Sequence, residues 1–375
     1  MSAAVVGVNL LWLVPGVVGG SEDATVRLLH AIADVAPSDL DVVLFGLPEL
    51  ADAHPDLTAR FPTELAPTGG GRKPLRVVAE STWLPRAARR RGVGLLHHAG
   101  GVVPPGARLP ATVTVHDLQP FDLPEHFSSV KRAYLRVVQG PSVRRARITA
   151  VPSEFTRRRV IEHFAVPADR VVVVPWSVPA AHPVGVVGVS GRFVLYPAIT
   201  YPHKDHATLL DAMARVVAEH ADVTLVLTGG DGPCASSVAQ RLARPDLAGR
   251  AVHLGRVSEG ERDALLQAAA VVAVPSRYEG FGLPALEAMA AGVPVVAASA
   301  GALPEVVDGA GSLVTPGDAA GFATAISQLL DDPALCAARA AAGRVVAARS
   351  TPTRTASAML DVWRRALPHR TTSAT

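Results

Sequence analysis

SRYEGFGLPALEAMAAGVPVVAASAGALPEVV, running from Ser276 to Val307, follows directly on the apolar stretch VVAVP and opens with a glycine turn. Pro284 suits the first turn of a helix, where its missing N–H costs nothing, so a helix is expected to begin near Leu283. Strand, tight turn and helix in that order make the start of a βαβ unit, and the turn of such a unit lies at the C-terminal edge of a parallel sheet. Free backbone amides and the positive end of the helix dipole stabilise anions there, and Gly280 and Gly282 let the backbone approach a ligand closely. A diphosphate fits that place. Glu279 and Glu287 flank the turn eight positions apart, with Gly280, Phe281, Gly282, Leu283 and Pro284 between them. Glu287, one turn into the helix, can accept hydrogen bonds from two ribose hydroxyls, while Glu279 sits in the loop nearer a sugar.

Upstream, FVLYPAITYPHKDHATLLDAMARVV has the same build: a strand, a polar turn holding His203, Lys204, Asp205 and His206, and a helix whose apolar stripe is Leu209, Leu210, Met213 and Val217. Lys204 would sit at the same sheet edge as the glycine turn. Short apolar runs alternate with helix-length segments along the whole chain, which predicts βαβ units and parallel sheets. In the first half, strands are expected near residues 4–10, 41–46, 94–97, 111–115, 147–151 and 171–174. In the second half they are expected near 193–196, 223–228, 251–254, 271–275, 293–297 and 312–314. That organisation predicts an α/β protein with two doubly wound, Rossmann-like domains, residues 1–185 and 186–352, followed by a C-terminal segment 353–375. The segment's helix, near 353–366 with Trp363, is expected to pack back on the first domain. Pro175 to Gly191, rich in Pro, Gly and Val, reads as a hinge.

The first half has its own polar edge. VPGVVGGSEDATVRLLHAI places Gly16, Gly19 and Gly20 in a loop that runs into a helix, and TVTVHDLQPF sets His116 and Asp117 at the end of a strand. His97 and His98 end another strand, either lining an acceptor cleft or serving as ordinary loop histidines. Ser153 is placed to cap a helix at Thr156.

Composition narrows the class. The 375 residues exceed one ordinary core, and 49% hydrophobic with 18% charged residues excludes wholesale disorder. Cys234 and Cys336 have no metal-ligand or redox spacing, which points to a reducing compartment and a cytoplasmic protein. Residues 1–185 carry 20 Lys and Arg against 16 Asp and Glu, while the remainder has 16 against 17. Arg86, Arg89, Arg90 and Arg91, then Arg144, Arg145 and Arg147, then Arg157, Arg158 and Arg159 are either solvated helix faces or contacts to anionic lipid at the inner membrane face. Few aromatic residues accompany them, which disfavours nucleic acid. Asp39 and Asp41 form the lone Asp-x-Asp pair and precede a strand, so no metal site is expected.

These segments resemble the family 4 retaining glycosyltransferases, and the resemblance covers nearly the whole chain. It implies a GT-B fold, two Rossmann-like domains facing each other across a cleft, with the nucleotide sugar held by the second and the acceptor by the first. Glu279 and Glu287 match the family's two glutamates separated by seven residues, and Lys204 matches its lysine for the diphosphate. His203 stands where an Arg often precedes that lysine. Pro-His-Lys turns occur in mannosyltransferase-like members, which favours GDP-mannose over a UDP- or ADP-sugar. Gly19 and Gly20 match the glycine loop at the donor phosphates, and His116 matches the histidine near the donor sugar. The resemblance thus assigns catalysis to His116, Lys204 and Glu279. It assigns donor binding to Gly19, Gly20, His203, Lys204, Glu279, Gly280, Phe281, Gly282, Leu283 and Glu287, and calls for no cofactor or metal. The acceptor would be a sugar, a lipid-linked glycan or a small molecule. A sugar-nucleotide epimerase or phosphorylase on the same scaffold, and a non-catalytic sugar-binding scaffold protein, are the alternative readings.

Overall fold

The computed structural model of the chain describes residues 3–17, 19–178, 188–189 and 191–368. They form two compact units, one running to Ser177 and including the segment from Pro352, the other spanning Val178 to Thr351. The stretch read as a hinge, Pro175 to Gly191, lies for the most part outside the described residues.

The sheet of the first unit has seven strands: β1 (Ala4–Asn9), β2 (Leu40–Gly46), β3 (Thr63–Leu65), β4 (Leu95–His98), β5 (Ala111–Thr114), β6 (Ile148–Val151) and β7 (Val171–Val173). Their order is β3-β2-β1-β4-β5-β6-β7 and every pairing is parallel. The second unit has β8 (Arg192–Pro197), β9 (Val223–Thr228), β10 (Ala251–His253), β11 (Val271–Val274), β12 (Val295–Ala298) and β13 (Ser312–Val314) in the order β10-β9-β8-β11-β12-β13, again all parallel. Val, Leu and Ala dominate these strands because helices cover both faces of a parallel sheet, so there is no solvent face to make polar. In β8, β11 and β12 the residues Val194, Leu195, Val272, Ala273 and Val296 are completely buried.

In each unit the chain reverses direction across the sheet at one place, between β1 and β4 and between β8 and β11. The loops leaving the C-terminal ends of such neighbouring strands splay apart, and open α/β sheets bind ligands in the crevice so formed.

The twelve expected strands are all present, with ends displaced by at most two residues. β3 was not expected. Thr-Glu-Leu has no apolar run, and the segment is strand only because it pairs with β2 at Leu44, Phe45 and Gly46. Long-range pairing of that kind leaves no local periodicity to read.

The helices that bear on function are α1 (Gly20–Val35), α2 (Lys73–Arg90), α3 (Ser129–Arg145), α4 (Glu154–Phe164), α5 (His206–Glu219), α6 (Leu283–Ala291) and α7 (Pro352–Ala366). α7 packs in the core of the first unit: Trp363, Met359 and Leu360 lie with Leu29 and Ile32 of α1 and are at most 1% exposed. Burying an indole removes roughly 150–250 Å² from water, on the order of 4–6 kcal/mol at the usual area coefficient, as an upper bound. Arg147 secures the helix end by donating to the Ala366 carbonyl at 2.8 Å.

Candidate functional site

In the second unit the loops after β8 and β11 are tied together by polar contacts. After Pro197 the chain turns through Pro202–Lys204 into Asp205, which adopts φ +49° and caps α5 by accepting from Thr208. After Val274 it runs through Ser276–Phe281 to Gly282, at φ +105°, and enters α6 at Leu283. Tyr196 stands at the end of β8, fully buried, and its hydroxyl donates to the Lys204 carbonyl at 2.8 Å while lying 2.9 Å from the Ser276 hydroxyl. The Arg277 amide donates to the His203 carbonyl at 2.8 Å, and its guanidinium Nε donates to Asp205 Oδ2 at 2.7 Å.

These ties bring Lys204 Nζ to 2.7 Å from Glu279 Oε1. Glu279 is buried, and its backbone is fixed as firmly as its side chain: its carbonyl accepts from the Ala302 amide at 2.9 Å. Gly301, at φ +59°, leans so close to that backbone that a Cβ would lie 2.5 Å from the Glu279 oxygen. Only glycine fits. Glu287 lies on α6 one turn beyond its start and is half-buried. The start of α6 follows the loop that carries Glu279, the partner of Lys204, and the positive end of its dipole favours an anion, although Pro284 has no N–H and the Ala285 and Leu286 amides donate to the Gly282 carbonyl.

The other members of the glycine turn are placed less directly. Phe281 and Leu283 are 6% and 7% exposed, so what they offer a ligand is backbone, and their side chains fill the core. Gly282 is called for by its positive φ, and a Cβ there would press on the Leu303 side-chain end at 2.9 Å. The His203 ring stacks on Tyr201 at 5.7 Å. His206, read from the sequence as part of the turn, is the first residue of α5 and buried against Tyr196, which lowers its pKa to about 4.

The polar edge of the first unit is a second network. Gly19, at φ +76°, precedes α1, and Gly20 is the helix's first residue. Buried Glu22 holds the loop by accepting from the Gly16 amide at 2.9 Å, with His54 Nε2 3.0 Å from its other oxygen. His116 donates from Nε2 to the Ala99 carbonyl at 2.8 Å and is flanked by Trp12 and Trp176, ring centroids 5.3 and 5.5 Å away. Its Nδ1 is buried without a hydrogen-bond partner. With one nitrogen committed as donor, the other is left as an unpartnered acceptor. Asp117 serves its own loop by accepting from the Gln119 amide at 3.0 Å.

His97 and His98 are 2% and 1% exposed, so they are interior residues of β4 and line no open surface. His97 meets Thr112 and Thr114, at 2.9 and 3.1 Å, and His98 Nδ1 lies 3.1 Å from Asn9 Nδ2. The same Asn9 nitrogen donates to Glu80 at 3.1 Å. Asp39, of the Asp-x-Asp pair, is held by the Arg364 fork at 2.8 and 2.9 Å. Ser153 caps α4 through the Thr156 amide at 3.0 Å.

Burial keeps three of these imidazoles neutral: the pKa falls to about 3 for His97 and His98 and to about 4 for His116. In the unfolded chain each titrates near 6.5, so below that pH the unfolded state binds more protons and stability must fall as pH falls. The loss should run from about pH 6.5 down to the folded values, at up to about 1.4 kcal/mol per pH unit for each histidine. All four tryptophans lie in this unit, so urea unfolding followed by their emission reports on it. His98→Asn is expected to flatten the slope, and an equally steep slope in that variant would show that His98 titrates normally.

Both halves of the chain are similar to known proteins. A family profile described as Glycosyltransferase Family 4 matches residues 18–182, and one described as Glycosyl transferases group 1 matches residues 186–332. The chain is 30% identical over 236 residues to O-antigen chain mannosyltransferase B of Escherichia coli, covering 59% of this chain and 62% of that protein. It is 27% identical over 180 residues to O-antigen chain mannosyltransferase RfbU of Salmonella typhimurium, covering 48% and 49%. The matched part thus spans only about half to three fifths of these relatives. Among solved structures, Anabaena HepE in complex with UDP and glucose superposes with a TM-score of 0.75 at 22% identity, over 97% of this chain and 100% of that one, a likeness of fold.

Proposed function

The two halves of this chain belong to the family 4 and group 1 glycosyltransferases, and on that premise we propose that it moves a sugar from a nucleotide diphosphate sugar to an acceptor hydroxyl, with retention and without a metal ion. The observation that carries the reading is the Lys204–Glu279 pair at the mouth of α6, on the two loops that leave the switch point of the sheet. When the sugar's bond to the diphosphate breaks, negative charge grows on the leaving phosphate. Lys204 and the amides near Leu283 supply the compensating positive charge, fixed in place before the reaction begins. The acceptor hydroxyl then attacks on the face the diphosphate leaves, which needs no covalent enzyme intermediate.

Glu287 is assigned to the ribose hydroxyls, Glu279 to the sugar side of the site, and His203 and the Gly280–Gly282 backbone to the donor. In the first unit, Gly19 and Gly20 are assigned to donor phosphate and His116, through Nδ1, to the sugar. Both curated relatives named above are mannosyltransferases, which favours GDP-mannose as donor and a glycan, free or lipid-linked, as acceptor.

Thermal shift with GDP, UDP and ADP tests the donor assignment, because a ligand of the folded state raises apparent stability by mass action. GDP is expected to give the largest shift, and a larger shift with UDP or ADP would move the assignment to that base. Glu287→Ala should weaken binding of the preferred nucleotide by roughly 1 to 3 kcal/mol, the cost of losing hydrogen bonds to a charged group. Calorimetry showing an unchanged Kd would remove Glu287 from the ribose.

A further inference from the structure

Thirteen large apolar side chains are exposed among the described residues, and six of them stand on two helices of the first unit: Leu75, Val77 and Val78 on α2, and Val130, Tyr134 and Val137 on α3. Positions 130, 134 and 137 follow the i, i+4, i+7 spacing that ordinarily marks a buried stripe. Val130 is nevertheless 78% exposed and Val137 72%. The charge carried by the two helices is predominantly positive. α3 carries Lys131, Arg132, Arg136, Arg144 and Arg145 and no acidic residue, and α2 carries five basic residues against Glu80 alone. Glu80 is half-buried and accepts a hydrogen bond from Asn9.

The two helices lie within electrostatic reach of each other. Burial lowers the Lys131 pKa, Asp117 raises it, and the Lys73 ammonium of α2 lowers it further. The Tyr134 hydroxyl, raised chiefly by burial, is also reached by Glu80 and Arg76 of α2.

Most of the arginine clusters visible in the sequence are consumed within the fold. Arg91 pairs with Glu64, Arg145 donates to the Pro104 carbonyl, Arg157 donates to Val171 and Ala168, and Arg159 is held by Asp122. Among the described residues Lys73, Arg132 and Arg136 have no carboxylate within ion-pairing distance.

We propose that the first halves of α2 and α3 form a docking face for a bilayer rich in anionic lipid, with the apolar side chains entering the head-group region and the basic ones meeting lipid phosphates. An exposed apolar stripe with a basic rim is what such an interface needs. No helix among the described residues is long and apolar enough to cross a membrane, so this is attachment to a surface. Nucleic acid is the poorer match, since Tyr134 is the one aromatic side chain among the six and base stacking needs several. The proposal does not depend on the donor site.

Co-sedimentation of the full chain with vesicles tests it. The protein is expected to partition onto vesicles containing phosphatidylglycerol, to stay in solution with phosphatidylcholine alone, and to be released by salt. Val130→Ser with Val137→Ser, and separately Arg132→Glu with Arg136→Glu, should each lower the partition coefficient about tenfold or more. Val130, Arg136 and Val137 are exposed and Arg132 is half-buried, so folding should survive the valine pair, and Val78→Ser on α2 provides an independent probe. Arg158→Glu, on α4 and exposed, should leave partition unchanged. No binding to the anionic vesicles, equal binding to both compositions, or an equal loss in Arg158→Glu would overturn the assignment of this face.

Discussion

Replacing Lys204 by alanine is expected to lower turnover by roughly 10²- to 10³-fold, the scale for removing one strong electrostatic stabiliser of a developing charge. Affinity for the donor should fall less, because the ground-state diphosphate already shares its charge with the amides of α6. The ion pair makes the variant more than a simple deletion. Lys204 lies 2.7 Å from Glu279, whose side chain is only 10% exposed, so Lys204→Ala strands a buried carboxylate beside an anionic ligand. Some of the loss would then be repulsion by Glu279. The double variant Lys204→Ala with Glu279→Ala isolates the repulsion: affinity recovers toward wild type if Glu279 weakens binding in Lys204→Ala. Steady-state kinetics of both variants with one nucleotide sugar decides this, and wild-type turnover in Lys204→Ala would remove the lysine from catalysis.

The second large effect is expected from a residue with no side chain. In Gly301→Ala the new methyl would lie 2.5 Å from the Glu279 oxygen and 2.6 Å from its nitrogen, both backbone atoms that cannot rotate away. The substitution also places a non-glycine residue at φ +59°. Left-handed geometry alone costs about 1–2 kcal/mol, and the clash forces the Glu279 loop to move. Displacing a reacting group by about 1 Å can cost 10²-fold, so turnover should fall by roughly that factor while the nucleotide still binds Glu287. Kinetics beside nucleotide titration checks the split. A loss of binding as large as the loss of turnover would mean that the whole donor loop had collapsed, and unchanged turnover would mean that the position of Glu279 is not critical.

Both effects show how the site could be read from the sequence, and where that reading stopped. The glycine turn before Leu283, the carboxylates eight apart and the lysine after β8 are local features, each on a strand-turn-helix segment whose period is visible in a single stretch. Parallel topology then fixes that loops from β8 and β11 adjoin, so the convergence of Lys204 and Glu279 followed from the pattern. Tyr196, Ser276, Arg277 and Gly301 escaped notice because their roles depend on partners far along the chain. Tyr196 reads as one more apolar residue of FVLYP until its hydroxyl is found on the Lys204 carbonyl. Gly301 reads as an ordinary loop glycine until the Glu279 backbone is found against it. His97 and His98 leave two roles open at the level of sequence, lining a cleft or an ordinary one, and burial of both in the interior favours the ordinary one. A signal did exist for them in the flanking leucines of GLLHHAG, which mark a fully buried strand.

Metal-free, retaining transfer is tested with an isotopically labelled nucleotide sugar in excess EDTA after prior dialysis, with the anomeric signal of the product read by NMR. GDP-mannose and the common UDP- and ADP-sugars would serve as donors against a panel of sugar and lipid-linked acceptors. Label is expected to move to the acceptor with the anomeric configuration of the donor retained, and EDTA is expected to make no difference. Label returned in an epimerised nucleotide sugar, a product of inverted configuration, or activity that disappears in EDTA and returns with magnesium or manganese would contradict metal-free, retaining transfer.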